Sequence, residues 1–382
     1  MDPIVSVVVP TKNRYRYLKK LIDLIESFNN TDIELVVQDN SDDNSEIVDF
    51  LSGKELQSTK YYYCTDKLSM SENADLAVKN SKGQYVCFIG DDDAVCRNIA
   101  ECAHWMKDNN IDALCSLYIQ YNWNENSDKI DGQLIYDGNI GFNYRILDAQ
   151  TELKRVLNKG VQGFINLPKL YQGLVSRAII NEMFAFGGTC FPGVTPDMSS
   201  AVTLCFFVKK YVMIDIPVVL PGRSVMVAGG VMGKVLTLDE VAFISDKHRK
   251  NWEEGFPKLW ATELIWPDCA MKALRYVKHP EYIDKYFNKN RMLSQLVVIH
   301  RNYLKEAFAY ADGKLRFMLC FLKYIFVDGS SFLWRKKVLY QLTGKEDGKY
   351  ISKRGFGGID KAEQYLLELL PDFVFTKLSI NG

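Results

Sequence analysis

Four apolar runs separated by stretches of helical periodicity, most of them ending in a polar cluster, constrain this chain more than any other feature. Ile4 to Val9 is a β-branched run stopped by Pro10, after which Tyr17, Leu18, Leu21, Ile22, Ile25 and Phe28 recur at the period of a helix. Ile33 to Gln38 repeats the pattern and ends in Asp39-Asn40-Ser41-Asp42-Asp43-Asn44-Ser45, residue types that suit a turn and a helix start leading through Leu51. Lys60 to Cys64 reads as a third strand, and Ser69 or Ser71 can cap a helix carrying Ala74, Leu76, Ala77 and Val78. Tyr85 to Ile89 is a fourth strand running into Gly90-Asp91-Asp92-Asp93. Strands that are apolar throughout are covered on both faces, so the expected fold is α/β with a mostly parallel sheet. Ligands of such sheets sit beyond the carboxyl ends of the strands, so the clusters Thr11 to Arg14, Asp39 to Asp43 and Asp91 to Asp93 mark one expected crevice.

From Asp112 to Gly222 strand signals continue but the alternation loosens, with Gly and Pro punctuating at Gly160, Gly163, Pro168, Gly187, Gly188, Pro192, Gly193 and Pro196. Beyond Val235 the pattern turns helical and aromatic, first around Trp252, Phe256, Trp260 and Trp266, then from Tyr303 to Tyr310 and from Leu315 to Val327. A length of 382 residues suits two domains, or one large domain with an appendage. The expected division is 1–234, in halves 1–111 and 112–234, followed by a mainly helical C-terminal region, 235–382.

Composition removes several classes. Lys plus Arg and Asp plus Glu both number 47, so the molecule as a whole neither attracts nor repels nucleic acid, and a nucleic-acid partner is not expected. The nine cysteines are odd in number, scattered through apolar runs and form no CxxC unit, which argues for buried thiols in a reducing compartment. Met1-Asp2-Pro3 leads straight into the first strand without the basic start and apolar core of a secretory signal. The run Leu315 to Val327 is broken by Arg316 and Lys323 and falls short of the roughly 20 residues that cross a bilayer. The expected location is the cytoplasm, with peripheral contact at a membrane face as an option. Four histidines, His104, His248, His279 and His300, show no spacing that suggests a zinc site or a nucleophilic triad.

Three adjacent aspartates at the end of a buried strand raise one another's pKa unless a cation lies between them. A divalent metal answers this: carboxylates suit Mg2+ or Mn2+, which commonly take one or two protein carboxylates and complete their shell with substrate phosphates. The plain alternative is an acidic turn facing water.

In these segments the chain resembles the inverting family 2 glycosyltransferases of GT-A fold. The resemblance rests on Val7-Val8-Val9-Pro10-Thr11-Lys12-Asn13-Arg14, on Val36-Val37-Gln38-Asp39-Asn40-Ser41 as the family's acidic turn, on Asn73 to Gly83 leading into the next strand, and on Gly90-Asp91-Asp92-Asp93 in place of its DxD. It covers Ile4 to about Gly222 and leaves out the C-terminal third. It implies a Rossmann-like nucleotide-diphospho-sugar transferase domain with a nucleotide half, 1–111, and an acceptor half, 112–234. It implies a metal-dependent transfer of one sugar, expected from a UDP-sugar, to a saccharide or lipid-linked acceptor in bacterial surface polysaccharide synthesis. Pro10, Thr11, Asn13, Arg14, Ser41 and Asn73 then line the nucleotide pocket, and Asp39 accepts a hydrogen bond from the base, its alternative role being a helix cap. Asp92 holds Mn2+ or Mg2+, Asp93 is the second metal candidate, and Asp91 meets the ribose or a metal-bound water. Arg223, in Pro221-Gly222-Arg223-Ser224, takes the place of the family's late basic residue over the diphosphate. Asp197, just before the helical pattern Ala201, Leu204, Cys205 and Val208, is the expected general base, its alternative again being a helix cap.

The segment 314–354 carries ten basic and three acidic residues interleaved with aromatics, which suits either an anionic membrane surface or a helix with a solvated basic face. Two rival functions remain at this stage. Asp91 and Asp93 in a DxD after a strand also fit a haloacid-dehalogenase-type phosphatase, with Asp91 as nucleophile, although that motif normally opens its domain. The other is a sugar-nucleotide-binding scaffold without a working base.

Overall fold

The computed structural model describes residues 2–123, 125–126, 129–130, 132–138, 140–164, 166–224, 235–241, 244, 246–329, 350–370 and 374–380. The first half builds the expected units: β1 (Val5–Thr11), α1 (Tyr15–Ser27), β2 (Ile33–Asp39), α2 (Ser45–Ser52), β3 (Thr59–Tyr63), α3 (Met70–Lys79) and β4 (Tyr85–Phe88). After them come β5 (Ala94–Val95), α4 (Ile99–Asp108) and β6 (Ala113–Cys115). Every residue of β2 and β4 is buried, the condition under which their apolar residues run without alternation, although β2 also buries Glu34, Gln38 and Asp39. The stripe Leu18, Leu21, Ile22 and Ile25 of α1 is buried against the sheet, each side chain contributing about 1.5–3 kcal/mol. Ser69, not Ser71, caps α3, in a capping box with Glu72. Ser71 instead donates its hydroxyl to the Gly193 carbonyl at 2.7 Å, tying α3 to the loop that precedes the helix Pro196–Leu204.

Among the described residues the main sheet has nine strands, in the order Ser379–Ile380, Asn143–Leu147, Tyr211–Ile214, β6, Leu174–Ser176, β4, β1, β2, β3. The strands β4, β1, β2 and β3 run parallel, while Leu174–Ser176 runs antiparallel to both β4 and β6. The sheet is therefore mixed and mostly parallel, as expected. A second sheet joins Gly222–Arg223, Ile119–Asn122, Gly132–Asp137 and Tyr350–Phe356.

Two features revise the expected division of the chain. The helices Thr262–Tyr276 and Lys289–Ile299 share one apolar core with Ala149–Asn158 and Pro196–Leu204, so the helical region is continuous with the acceptor half rather than appended to it. Residues 350–380 then return to the N-terminal half. Tyr350–Phe356 pairs antiparallel with Gly132–Asp137, and Ile359, Ala362, Leu366 and Phe375 enter the core beneath α1 and α4. The fully buried Glu363 accepts hydrogen bonds from the Arg97 backbone and guanidinium. Tyr350–Phe356 is exposed over most of its length and carries Lys353 and Arg354, so it lacks the apolar run by which the buried strands are recognised. Of the basic segment 314–354, residues 330–349 lie outside the described residues. Among the described residues no helix is long and apolar enough to cross a membrane.

Candidate active site

The expected crevice forms where β1, β2 and β4 end. Asn13 adopts a left-handed φ of 57°, which Asn tolerates better than most side chains, and this turns its groups toward the β2 loop. Its backbone N–H donates to Ser41 Oγ at 2.7 Å, its Nδ2 donates to Asp42 at 2.8 Å, and Asp42 N donates back to Asn13 Oδ1 at 3.1 Å. The two loops are thus latched to one another. Asn40 N reaches the Thr11 carbonyl at 3.0 Å, and Asn73 Nδ2 approaches the same carbonyl at 3.5 Å. Asn40 Oδ1 and Asn73 Oδ1 are buried without a donor, acceptors left open beside this groove. Asp39 is in register with Thr11 at the same strand tip, but its carboxylate is turned inward. It is fully buried, with Tyr15 and Tyr61 hydroxyls each donating to Oδ2 at 2.7 Å and Ser41 N donating to Oδ1 at 2.8 Å. Burial and Asp39 raise both tyrosines' pKa, keeping them phenols that donate. Nor does Asp39 cap α2, whose N-cap is Asn44.

The three aspartates are compensated unequally. Arg14 forms ion pairs with Asp91 Oδ1 at 3.0 Å and with Asp92 Oδ2 at 2.8 Å, so the cation between these two carboxylates is a side chain of the chain itself. Thr11 Oγ1 donates to Asp91 at 2.7 Å, and Ser224 donates to Asp92 Oδ2 from its hydroxyl at 2.6 Å and its backbone N–H at 3.2 Å. Burial still pushes the Asp91 carboxyl up to about 7, with Arg14 opposing and Asp92 adding to the rise. Asp93 is held by Gly222 N at 2.6 Å, Gly90 N at 2.8 Å and the Gln172 amide at 3.1 Å. Its pKa is raised by burial and by Asp92. The close strand that delivers Gly222 requires glycine there, since a Cβ would lie 1.6 Å from the Asp92 carbonyl oxygen.

Asp92 fits a divalent ion better than Asp93 does. Among the described residues no three His, Cys, Asp or Glu side chains converge into a metal cage, and both oxygens of Asp93 already accept hydrogen bonds. Asp92 Oδ1 has no donor among the described residues and faces the small hollow above Gly90, where a Cβ would lie 3.1 Å from it and 3.3 Å from the Tyr171 hydroxyl. One free carboxylate oxygen at a hollow suits an ion that takes its other ligands from a diphosphate.

Asp197 stands in the first turn of the helix Pro196–Leu204, half-buried. Thr195 Oγ1 donates to its Oδ1 at 2.6 Å, as does Met198 N at 2.7 Å. Trp266 Nε1, from the helix Thr262–Tyr276, donates to Oδ2 at 2.9 Å. The carboxylate is thus fixed from two elements, and Oδ2 keeps accepting capacity. Burial raises the pKa of Tyr171, and the charges of Asp93, Asp92 and, more weakly, Asp197 raise it further.

Thr11, Asn13, Arg14, Ser41, Asn73, Asp91 and Asp92 therefore gather at one strand-tip groove, with Pro10 in register beside Gln38. Arg223 is exposed on the short strand next to Ser224. Ser224, Tyr171, Gln172, Thr195 and Trp266 were not singled out from the sequence as site residues. Ser224 neighbours the flagged Arg223 and Trp266 lies in the aromatic run, whereas Tyr171 and Gln172 carry no local signal.

Residues 6–171 match the sequence profile described as Glycosyl transferase family 2. A Campylobacter jejuni protein named GalNAc(5)-diNAcBac-PP-undecaprenol beta-1,3-glucosyltransferase is 34% identical over 94 residues, 24% of this chain and 30% of that protein. The match thus spans under a third of that relative's length. The crystal structure of S. aureus TarS aligns at TM-score 0.46 with 14% identity, covering 85% of this chain and 55% of TarS. The mannosyltransferase PcManGT from Pyrobaculum calidifontis, in complex with GDP-Man and Mn2+, aligns at TM-score 0.39 with 14% identity, covering 91% of this chain and 89% of that one.

Proposed function

We infer, from the match of residues 6–171 to the Glycosyl transferase family 2 profile, that this chain is an inverting glycosyltransferase. It moves one sugar from a nucleotide donor, a UDP-sugar first among those to try, to a hydroxyl of a saccharide or lipid-linked glycan. The observations that carry this reading are the strand tip where Thr11, Arg14 and Ser224 hold Asp91 and Asp92, and the Asp197 carboxylate fixed by Thr195 and Trp266. The nucleoside lies in the groove between the β1 and β2 loops, where Asn40 and Asn73 offer open acceptors, and the diphosphate lies over Arg14 and the Gly90 hollow. Asp92 would hold a Mn2+ or Mg2+, which when bound would offset the negative charge collecting on the departing nucleoside diphosphate. Asp197 takes the proton from the acceptor hydroxyl at Oδ2 as the new C–O bond forms and the bond to the diphosphate breaks. Thr195 and Trp266 keep the carboxylate aimed during that transfer. A phosphatase using Asp91 and Asp93 finds no support, because Asp93 is occupied by two backbone amides and Gln172 and has no freedom to act as its acid and base.

The test is a thermal-shift panel of nucleoside diphosphates with Mn2+ or with chelator, alongside release of diphosphate from the donor. A ligand stabilises by RT ln(1 + [L]/Kd), so the correct nucleotide raises the melting temperature. Asp92→Asn should lose the Mn2+ increment, and Asp197→Asn should keep nucleotide binding while losing turnover. Absence of any nucleotide shift overturns the donor pocket, and full turnover by Asp197→Asn overturns the assigned base.

A further inference from the structure

The helix Lys314–Lys323 buries Phe317, stacked on Phe321 and edge-on to Phe308, yet its opposite face carries Leu315, Leu319 and Leu322 at 74%, 61% and 42% exposure. These positions follow i, i+4, i+7 spacing, so they form one stripe rather than scattered surface residues. Ile299 and Leu304, on neighbouring elements of the same region, are 51% and 40% exposed. A stretch of large apolar side chains left in water on a folded protein marks a surface that meets something.

The charge around the stripe says what that something is. Residues 281–326 carry eight Lys or Arg against four Asp or Glu, in a chain whose overall balance is zero. Arg316, adjacent to Leu315, lines a cavity of about 280 Å3 together with Lys285, Lys289, Asn288 and Asp312. Lys289 is paired with Asp312 at 2.5 Å, Lys285 lies within electrostatic reach of Glu281, and Arg316 forms no ion pair among the described residues. The sequence that follows continues basic, seven against three over 327–354.

We propose that this face docks on an anionic lipid bilayer, with Leu315, Leu319 and Leu322 entering the headgroup boundary and the Lys285/Arg316 cavity receiving a lipid phosphate. An apolar stripe alone would suit a protein partner equally; a stripe beside a local excess of basic residues matches a surface whose outer layer is anionic and whose next layer is apolar. The inference does not depend on which residue is the catalytic base. It goes beyond the transfer reaction by assigning the plane in which a lipid-linked acceptor would be met.

Flotation of the full chain with vesicles tests it, using phosphatidylcholine alone and phosphatidylcholine mixed with phosphatidylglycerol. The wild type should float with the mixed vesicles only, and less as salt screens the attraction. Leu315→Asp with Leu319→Asp should abolish flotation, and Lys285→Glu with Arg316→Glu should weaken it by more than about twentyfold, at roughly fivefold per basic residue. All four positions are exposed or line an open cavity, and an unchanged melting temperature in each variant shows that the fold is intact. No flotation of the wild type, or flotation of both variants like the wild type, overturns the proposal. So does a dimer in solution that the leucine variants break while lipid binding stays absent, which would make a second copy the occupant.

Discussion

Arg14 is the residue on which the strand tip turns. It brings one positive charge to two buried carboxylates, and burial, which opposes its charge, is outweighed by Asp91 and Asp92, so its pKa is raised. Removing one member of a buried ion group leaves the rest uncompensated. Arg14→Ala should therefore lower stability by about 3 kcal/mol in urea unfolding, and Mn2+ should restore more stability to this variant than to the wild type. Equal unfolding midpoints would show that the aspartates do not rely on the guanidinium. At the other side of the site, Trp266→Phe keeps the ring against Phe164 but removes the donor to Asp197. A hydrogen bond to a charged group is worth about 1.5–3 kcal/mol, so kcat should fall roughly tenfold or more with the donor KM unchanged. The acidic residues of the site were legible in the sequence because aspartates crowded after an apolar strand are rare without a purpose. The destinations of Asp39 and Asp93 were not, since only the folded backbone shows which carboxylate faces a ligand and which faces amides and phenols.

At the scale of elements, the site is held by pieces that approach closely. The strand Gly222–Arg223 pairs with Tyr121 and Asn122 and brings Gly222 N and Ser224 onto the aspartates. Gly222→Ala places a methyl group on the Asp92 carbonyl and should cost about 3 kcal/mol together with nucleotide binding. Gly53→Ala, where nothing lies within 4 Å, should change stability by less than about 0.5 kcal/mol, and melting curves of the pair compare the two. Helix α3 plays a similar part for the base. Asp75 accepts from Thr189 Oγ1 at 2.5 Å and from Cys190 N at 2.9 Å, and Ser71 holds Gly193, so α3 fixes the loop leading to Asp197 from two points. The helix itself was readable from Ala74, Ala77 and Val78 at helical spacing. Its role as an anchor was not, because it rests on contacts more than a hundred residues apart in the chain.

The whole molecule closes on itself through its last described residues. Ile359, Ala362 and Leu366 pack into the N-terminal core, Glu363 is buried against Arg97, and Ser379–Ile380 adds a strand to the main sheet. A chain cut before Tyr350 should lose soluble yield and nucleotide-dependent stabilisation, because the core beneath α4 and the edge Gly132–Asp137 would both be uncovered. A soluble cut chain with the wild-type nucleotide shift would show that the return segment is dispensable to the site.

Local pattern determined the alternation of β1 to β4 with their helices, the place of the crevice and most of the residues that line it, because hydrophobic period and strand-end polarity are written within a few residues of one another. Tertiary structure alone decided that Arg14 neutralises Asp91 and Asp92, that Trp266 completes the setting of Asp197, and that residues 350–380 belong to the first core. Those outcomes depend on distances between groups far apart in the chain, and such distances exist only once burial has brought the elements together.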